Sequence, residues 1–222
     1  MSRVTGLLSS GTILLLGLLL SSCAVGAGKS MPYERWFLGF AAPAYMEVWI
    51  ETAQVVDIQK QAFRGAGGGI ASVATPPNNQ GNPKGWVNNS GGGKGRYVTG
   101  ADLPRLIYVR WQSMVEPQTY EVFIEIPESA REIMRKAETT YCPHSDKPIT
   151  DYRSDIGIGL APGGIAKVWL SGPCLNPVEI TRVEATIVKV GPDGGKSGGR
   201  YDPLTEPSKA YVEKFGIPYG SW

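Results

Sequence analysis

The chain holds a single histidine, His144, so a hydrolase built on a serine or cysteine nucleophile would have to draw its base from there. Its neighbours Ser145 and Asp146 are consecutive in sequence, where side chains seldom converge as nucleophile, base and orienting acid. Gly195-Lys196-Ser197-Gly198-Gly199 has the form Gly-x-Ser-x-Gly, but it lies within a glycine loop and Arg200 to Pro203 cannot open the helix that a nucleophile elbow requires. His144 is therefore expected in a surface loop, and no catalytic residue is assigned. Cys142 and His144 together make too few ligands for zinc, which takes three or four from the protein, so neither a metal nor any other cofactor is expected. The run Gly194-Gly195-Lys196-Ser197 has the composition of a phosphate-binding loop. Val190 stands where its first glycine belongs, however, and Gly198 to Pro203 cannot open the helix whose N-terminus would hold the phosphate. The acids Glu116, Glu121, Glu125 and Asp155 are the material for a glycosidase pair, yet nothing in their spacing brings two together.

The remaining chemistry belongs to cysteine. There are three, and Cys142 and Cys174 form an even pair once Cys23 is set aside. In an oxidising compartment such a pair is most simply a disulfide. Cys23 closes a leader: Arg3, then the apolar run Ile13 to Leu20, then Ser21 and Ser22. One early positive charge, a short apolar stretch and small residues make a secretory signal, too short for a comfortable membrane span. Leu20-Ser21-Ser22-Cys23 resembles the bacterial lipobox, which implies cleavage before Cys23 and lipid on its thiol. Ala24 and Val25 carry no aspartate retention signal, so the expected location is the periplasmic face of the outer membrane. The expected organisation is a signal peptide over 1–22, a lipidated tether over 23–32 and one domain over 33–222. Arg3 is the leader's only charge, so the formal net charge of +2 becomes +1 on its removal, too balanced for a nucleic-acid partner.

The mature chain reads as alternating β segments. Tyr33 to Ala41 is aromatic and apolar, and Tyr45 to Ile58 alternates with a period of two, which places Met46, Val48 and Ile50 on one face. Residues 65–95, rich in glycine, proline and asparagine, predict a long loop or an excursion held by Trp86. Arg105 to Gln112 and Thr119 to Ile126 predict a hairpin. Glu128 to Thr139 predicts the principal helix, with acids at its start and Arg135 and Lys136 near its end. Asp155 to Leu160 and Ile165 to Ser171 flank a turn in which Pro162 and Gly163 suit the type II conformation. Val178 to Val190 predicts one long strand, Gly191 to Arg200 a second glycine loop, and Ser208 to Phe215 a short terminal helix. The fold class expected is α+β: a mainly antiparallel sheet with one principal helix and long glycine-rich loops. Trp49, Trp111 and Trp169 fall in strands and are expected to be core or half-buried. Trp86, Tyr97, Tyr201, Tyr219 and Trp222 fall in loop or terminal segments, and Trp86, Tyr97 and Tyr201 are taken as candidate partner-binding aromatics.

Leu103-Pro104, Tyr108 to Ser113, Glu116, Tyr120, Pro127, Gly157 to Gly164 and Val168 to Gly172 together resemble a family of proteobacterial lipoproteins known as domain of unknown function 2931. The likeness covers essentially the whole mature chain and rests on turns and strand aromatics, and the family assigns none of these residues a catalytic role. Some members resemble immunity proteins that neutralise phospholipase effectors of the type VI secretion system. The resemblance therefore implies a non-enzymatic, lipid-anchored binding protein whose partner is a secreted phospholipase. A structural or assembly lipoprotein of the outer membrane is the alternative, and an envelope hydrolase working through His144 or an acid pair is a third.

Overall fold

The computed structural model describes residues 31–86 and 93–222; the leader, Cys23 and most of the tether lie outside them. The strands are β1 Arg35–Ala41, β2 Val48–Asp57, β3 Ala62–Ile70, β4 Lys94–Thr99, β5 Pro104–Ser113, β6 Gln118–Glu125, β7 Ala137–Cys142, β8 Lys147–Tyr152, β9 Asp155–Ala161, β10 Ile165–Gly172, β11 Leu175–Glu184 and β12 Thr186–Ile187. The helices are α1, Glu128–Arg135, and α2, Glu206–Phe215. One five-stranded sheet runs β11-β10-β9-β1-β4, a second runs β12-β6-β5-β2-β3, and β7 pairs with β8 alone. Every ladder is antiparallel except β1 on β9, and the α+β expectation holds.

Period-two alternation explains the core. Trp36, Leu38 and Phe40 of β1, with Ile156, Ile158 and Leu160 of β9, meet Val48, Ile50 and Val55 of β2, Ile107, Val109 and Trp111 of β5, and Val122 and Ile124 of β6. Each side chain contributes about 1.5–3 kcal/mol by leaving water. Helix α1 closes one end of this core with Ala130 and Met134. Its Arg131 holds Glu128 at 2.7 Å and donates to the carbonyl of Ile126.

Three expectations are corrected. Residues 65–70 belong to β3 rather than to a loop, because β3 passes so close to β1 that a Cβ on Gly67 would stand 2.4 Å from the Phe40 ring. Glycine there admits the ring. Helix α1 stops at Arg135 instead of Thr139: Lys136 turns to φ −90°, ψ 123°, and Ala137–Cys142 pairs with Lys147–Tyr152. The β-branched and aromatic residues Thr139, Thr140 and Tyr141 suit that strand better than a helix. The long strand expected over 178–190 changes partners at Ala185, with Glu184 opposite Ile165 in one sheet and Thr186 opposite Glu121 in the other. The β9–β10 turn is as expected, with Gly163 at φ +78°, and Cys142 and Cys174 are bonded as a disulfide.

The sandwich has two distinct ends. The described chain begins at the proximal one, where Met31 is already buried in the core and lines a cavity with Ala101 and Asp102. Helix α1, the β7–β8 hairpin and the disulfide lie at this end. The β5–β6 and β9–β10 turns and the C-terminal segment lie at the distal end, around a second apolar cluster of Tyr45, Met46, Val115, Ala161, Ile165 and Trp222. Tyr45 stacks on Tyr211 of α2 at 4.3 Å, and buried Glu47 accepts hydrogen bonds from the backbone N–H and hydroxyl of Thr205. Trp222, placed by sequence among the loop and terminal aromatics, is buried and donates its indole N–H to the Pro83 carbonyl.

Candidate functional site

The catalytic possibilities come apart in three dimensions. His144 sits exposed in the β7–β8 turn and makes no hydrogen bond or ion pair among the described residues, while Asp146 accepts from the Tyr141 hydroxyl. Glu121 and Glu125 lie four positions apart on β6, about 13 Å by strand rise. Glu116 lies at the opposite end of that strand from Glu125, and Asp155 begins β9 in the other sheet. No two of these acids flank a common cleft. The glycine loop forms a short 3-10 turn at Pro192–Gly195 rather than a helix. Glu51 fastens it to the outer face of the second sheet, accepting from the Asp193 N–H at 2.7 Å, and Arg110 donates to the Gly191 carbonyl at 2.8 Å. Arg110 in turn pairs with Glu51 at 2.6 Å.

What converges instead is a set of tyrosines at the distal end. One oxygen of Glu116 accepts three hydrogen bonds, from Gly163 N–H at 2.9 Å, Tyr219 O–H at 3.0 Å and Tyr120 O–H at 3.2 Å. Its other oxygen is covered and has no partner among the described residues. Tyr201 meets Thr119 hydroxyl to hydroxyl at 3.0 Å, one residue before Tyr120. Gly164 is held at φ +75°, and a Cβ on it would stand 2.9 Å from the Tyr120 ring, so the β9–β10 turn can approach only as glycine. Exposed Ile187 of β12 pairs with Tyr120 across the ladder. Four chain segments thus meet: two hairpin turns, the end of the glycine loop and the C-terminal stretch.

Electrostatics makes these hydroxyls donors rather than nucleophiles. Burial, then the Glu116 carboxylate, pushes the Tyr120 hydroxyl well above the usual phenol range. Burial and the same carboxylate push Tyr219 up to about 12. Both stay neutral at physiological pH. Of the three tyrosines, Tyr219 is 59% exposed and Tyr201 half-buried, whereas Tyr120 is buried, so the surface is formed by flat, amphipathic rings fixed by hydrogen bonds at Tyr219 and Tyr201. Surfaces that recognise proteins are built this way, because a tyrosine supplies much contact area and loses little rotamer freedom.

The three aromatics expected to bind a partner are dispersed, and only one joins the cluster. Tyr201 is part of it. Trp86 is half-buried on the outer face of the first sheet, over Gly159, with its ring 5.2 Å from Trp169 and nearly perpendicular to it. Tyr97 lies on strand β4, exposed, against Phe37 and under the Arg35 guanidinium. Neither Glu116 as a hub nor Tyr120 as its neighbour is visible in the sequence, because only the fold brings position 163 and position 219 to them.

A cavity of about 200 Å³ opens at the proximal end beside Met31, Asp57 and Asp102. Its buried acids hold backbone: Asp57 accepts from the N–H groups of Gln61 and Asp102, and Asp102 from that of Leu103 and from the Gln59 amide. They pin the β2–β3 turn to the segment before β5. Among the described residues no group of histidine, cysteine and acidic side chains is placed to hold a metal ion.

The family described as "Protein of unknown function (DUF2931)" matches residues 24–220. No curated protein and no solved structure matches the chain.

Proposed function

The chain belongs to the DUF2931 family, whose description assigns no activity, and on that premise we propose that it is a non-catalytic, lipid-anchored binding protein of the bacterial envelope. In this reading Cys23 carries the lipid and residues 23–32 are the tether. The partner is a secreted phospholipase effector that the protein neutralises as an immunity factor. The observation that carries the binding role is the tyrosine cluster beside Glu116, in which exposed Tyr219 and half-buried Tyr201 offer aromatic area fixed by hydrogen bonds to Glu116 and Thr119. Its position supports the same reading. The chain enters the domain at the proximal end, at Met31, so a tether there leaves the tyrosine end at the far end of the domain from the attachment point and open to an incoming protein.

The anchor suits the task, because an enzyme that attacks phospholipid must work at the surface where the tether holds its inhibitor. Deleting the gene and exposing the cells to phospholipase effectors delivered to the periplasm tests the proposal. Cells that lack the protein are expected to lyse and to be rescued by its return. Survival against every effector would overturn the immunity role. Envelope weakness in the deletion strain with no effector present would favour a structural or assembly role in the outer membrane instead.

A further inference from the structure

Strands β3 and β4 are the neighbouring edges of the two sheets, bridged where Arg96 donates to the Gly65 carbonyl at 3.1 Å. Arg64 lies on β3, Lys94 and Arg96 on β4 and Arg35 on β1, while Lys60 sits in the turn leading into β3. All are exposed, and none makes an ion pair among the described residues. The three strands contain no acid, although the whole chain is nearly balanced at +2; the adjoining carboxylates Glu34, Asp57 and Asp102 line the cavity at the proximal end. Tyr97, 54% exposed, lies on the outer face of the first sheet at this edge, with the Arg35 guanidinium 4.0 Å from its ring centre and the Phe37 ring 5.5 Å away, while Lys94 and Arg96, on the other face of β4, project at the edge toward β3.

We propose that this β3–β4 side docks on the anionic phospholipid headgroups of the membrane that holds the protein. Cations without ion pairs along an edge, beside an exposed tyrosine, are the chemistry of a headgroup contact, since phosphates take the charges and the phenol ring sits at the polar–apolar boundary. Reach agrees. The tether from Cys23 to Met31 extends to about 28 Å at most, and Met31 leaves the fold at the end where Arg35 begins β1. The inference rests on the reading that Cys23 is lipidated. Cations on edge strands also discourage pairing with other chains, but that role requires no lipid.

The test uses the mature chain from residue 23 with Cys23→Ser, so that no acyl group can bind, and vesicles of phosphatidylcholine with or without about 30 mol% phosphatidylglycerol. Binding by co-sedimentation is expected to rise about tenfold or more with the anionic lipid. It should return to the neutral-vesicle level in high salt and in the combined variant Arg35→Gln, Lys94→Gln, Arg96→Gln. Equal binding to both vesicles would overturn the proposal, as would wild-type binding by a variant with a native circular dichroism spectrum. If the variant aggregates, the composition and salt dependence of the unaltered surface decides alone. The anchor is judged separately, by whether Cys23→Ser releases the protein from membranes in cells.

Discussion

Glu116 and Tyr219 are joined by a hydrogen bond of 3.0 Å although 103 positions separate them. The same carboxylate oxygen takes the Gly163 N–H and the Tyr120 hydroxyl. One side chain in the β5–β6 turn therefore ties the β9–β10 turn and the C-terminal segment into a single surface. The binding surface proposed for this protein is only as rigid as that junction.

Replacing Glu116 by alanine is expected to cost about 2–3 kcal/mol, because the Tyr120 hydroxyl loses its acceptor in a buried setting. Tyr219→Phe should cost about 0.5–1.5 kcal/mol, since its hydroxyl reaches water when released. Glu116→Gln should fall between the two: the amide oxygen reproduces the shared acceptor, but the NH2 takes the place of the covered oxygen, where it has no acceptor among the described residues. Urea denaturation of the three variants checks the order. A loss in Glu116→Gln as large as in alanine would show that the charge, not the acceptor, holds the junction.

If the tyrosine end binds the partner, Tyr201→Ala and Tyr219→Ala should each weaken the complex by about 2 kcal/mol, roughly thirtyfold, as buried aromatic contacts do. Trp86→Ala acts differently. Its ring fills the space above Gly159, so the expected effect falls on stability. Isothermal titration with a purified effector, run beside thermal melts, separates the two. Equal affinity in all variants would place the interface elsewhere.

Legibility followed the range of the interactions. Strands β5 and β6, the turn at Pro162 and the start of α1 depend on local pattern and turn chemistry, and sequence located them. β3 did not announce itself, because its glycines answer to the Phe40 ring of β1, a contact no local window contains. The change of partner at Ala185 was hidden for a related reason: alternation marks a strand and its buried face but not its neighbour. At the distal end, Tyr201 was legible as a loop aromatic and Glu116 as an isolated acid. Their meeting depends on the register of β6 and on where the C-terminal segment docks.

Asp155 gives the protein an acid-side dependence that a surface carboxylate would not. Burial at the start of β9 raises it to about 6, with Asp151 adding to the shift and the Ser154 hydroxyl opposing it. The folded state then holds a proton that the unfolded chain, with an ordinary carboxyl near 3.8, has released. Stability from this group is full below about pH 4 and is lost as pH rises through about 6. Solvent on its exposed side reduces the effect to about 1 kcal/mol. Asp155→Asn should therefore raise stability by that amount at pH 7.5 and flatten the profile between pH 4.5 and 7. Chemical denaturation across that range checks it, and an unchanged slope would remove Asp155 as the cause.

The disulfide spans 32 positions and joins the end of β7 to the turn before β11. The β7–β8 ladder pairs with no other strand, and an isolated two-stranded hairpin is marginal in water. Cys142→Ala with Cys174→Ala is expected to cost about 3 kcal/mol. The loss should be local first, with amide exchange accelerating in residues 137–152 before it does in β5 or β9. Exchange measured with and without dithiothreitol reads this directly. Uniform acceleration across the sandwich would mean that the bond stabilises the whole core rather than the hairpin.

Two glycines with the same backbone handedness should respond unequally. Gly164 has φ +75° and Gly198 φ +62°, so alanine at either adopts a left-handed conformation that costs about 1 kcal/mol. At Gly198 nothing lies within 4 Å of the new methyl, and the backbone term is the whole effect. At Gly164 the methyl would stand 2.9 Å from the Tyr120 ring and 3.3 Å from the Ala185 carbonyl. The ring can yield only by moving its hydroxyl off Glu116, so overpacking of about 1–3 kcal/mol adds to the backbone term. Gly164→Ala should thus be the more destabilising by at least about 1 kcal/mol, with partner affinity falling in step because the tyrosine end is displaced. Gly198→Ala should leave affinity unchanged. Equal losses of stability would mean that the β9–β10 turn shifts as a body, and that Glu116 does not hold it in place.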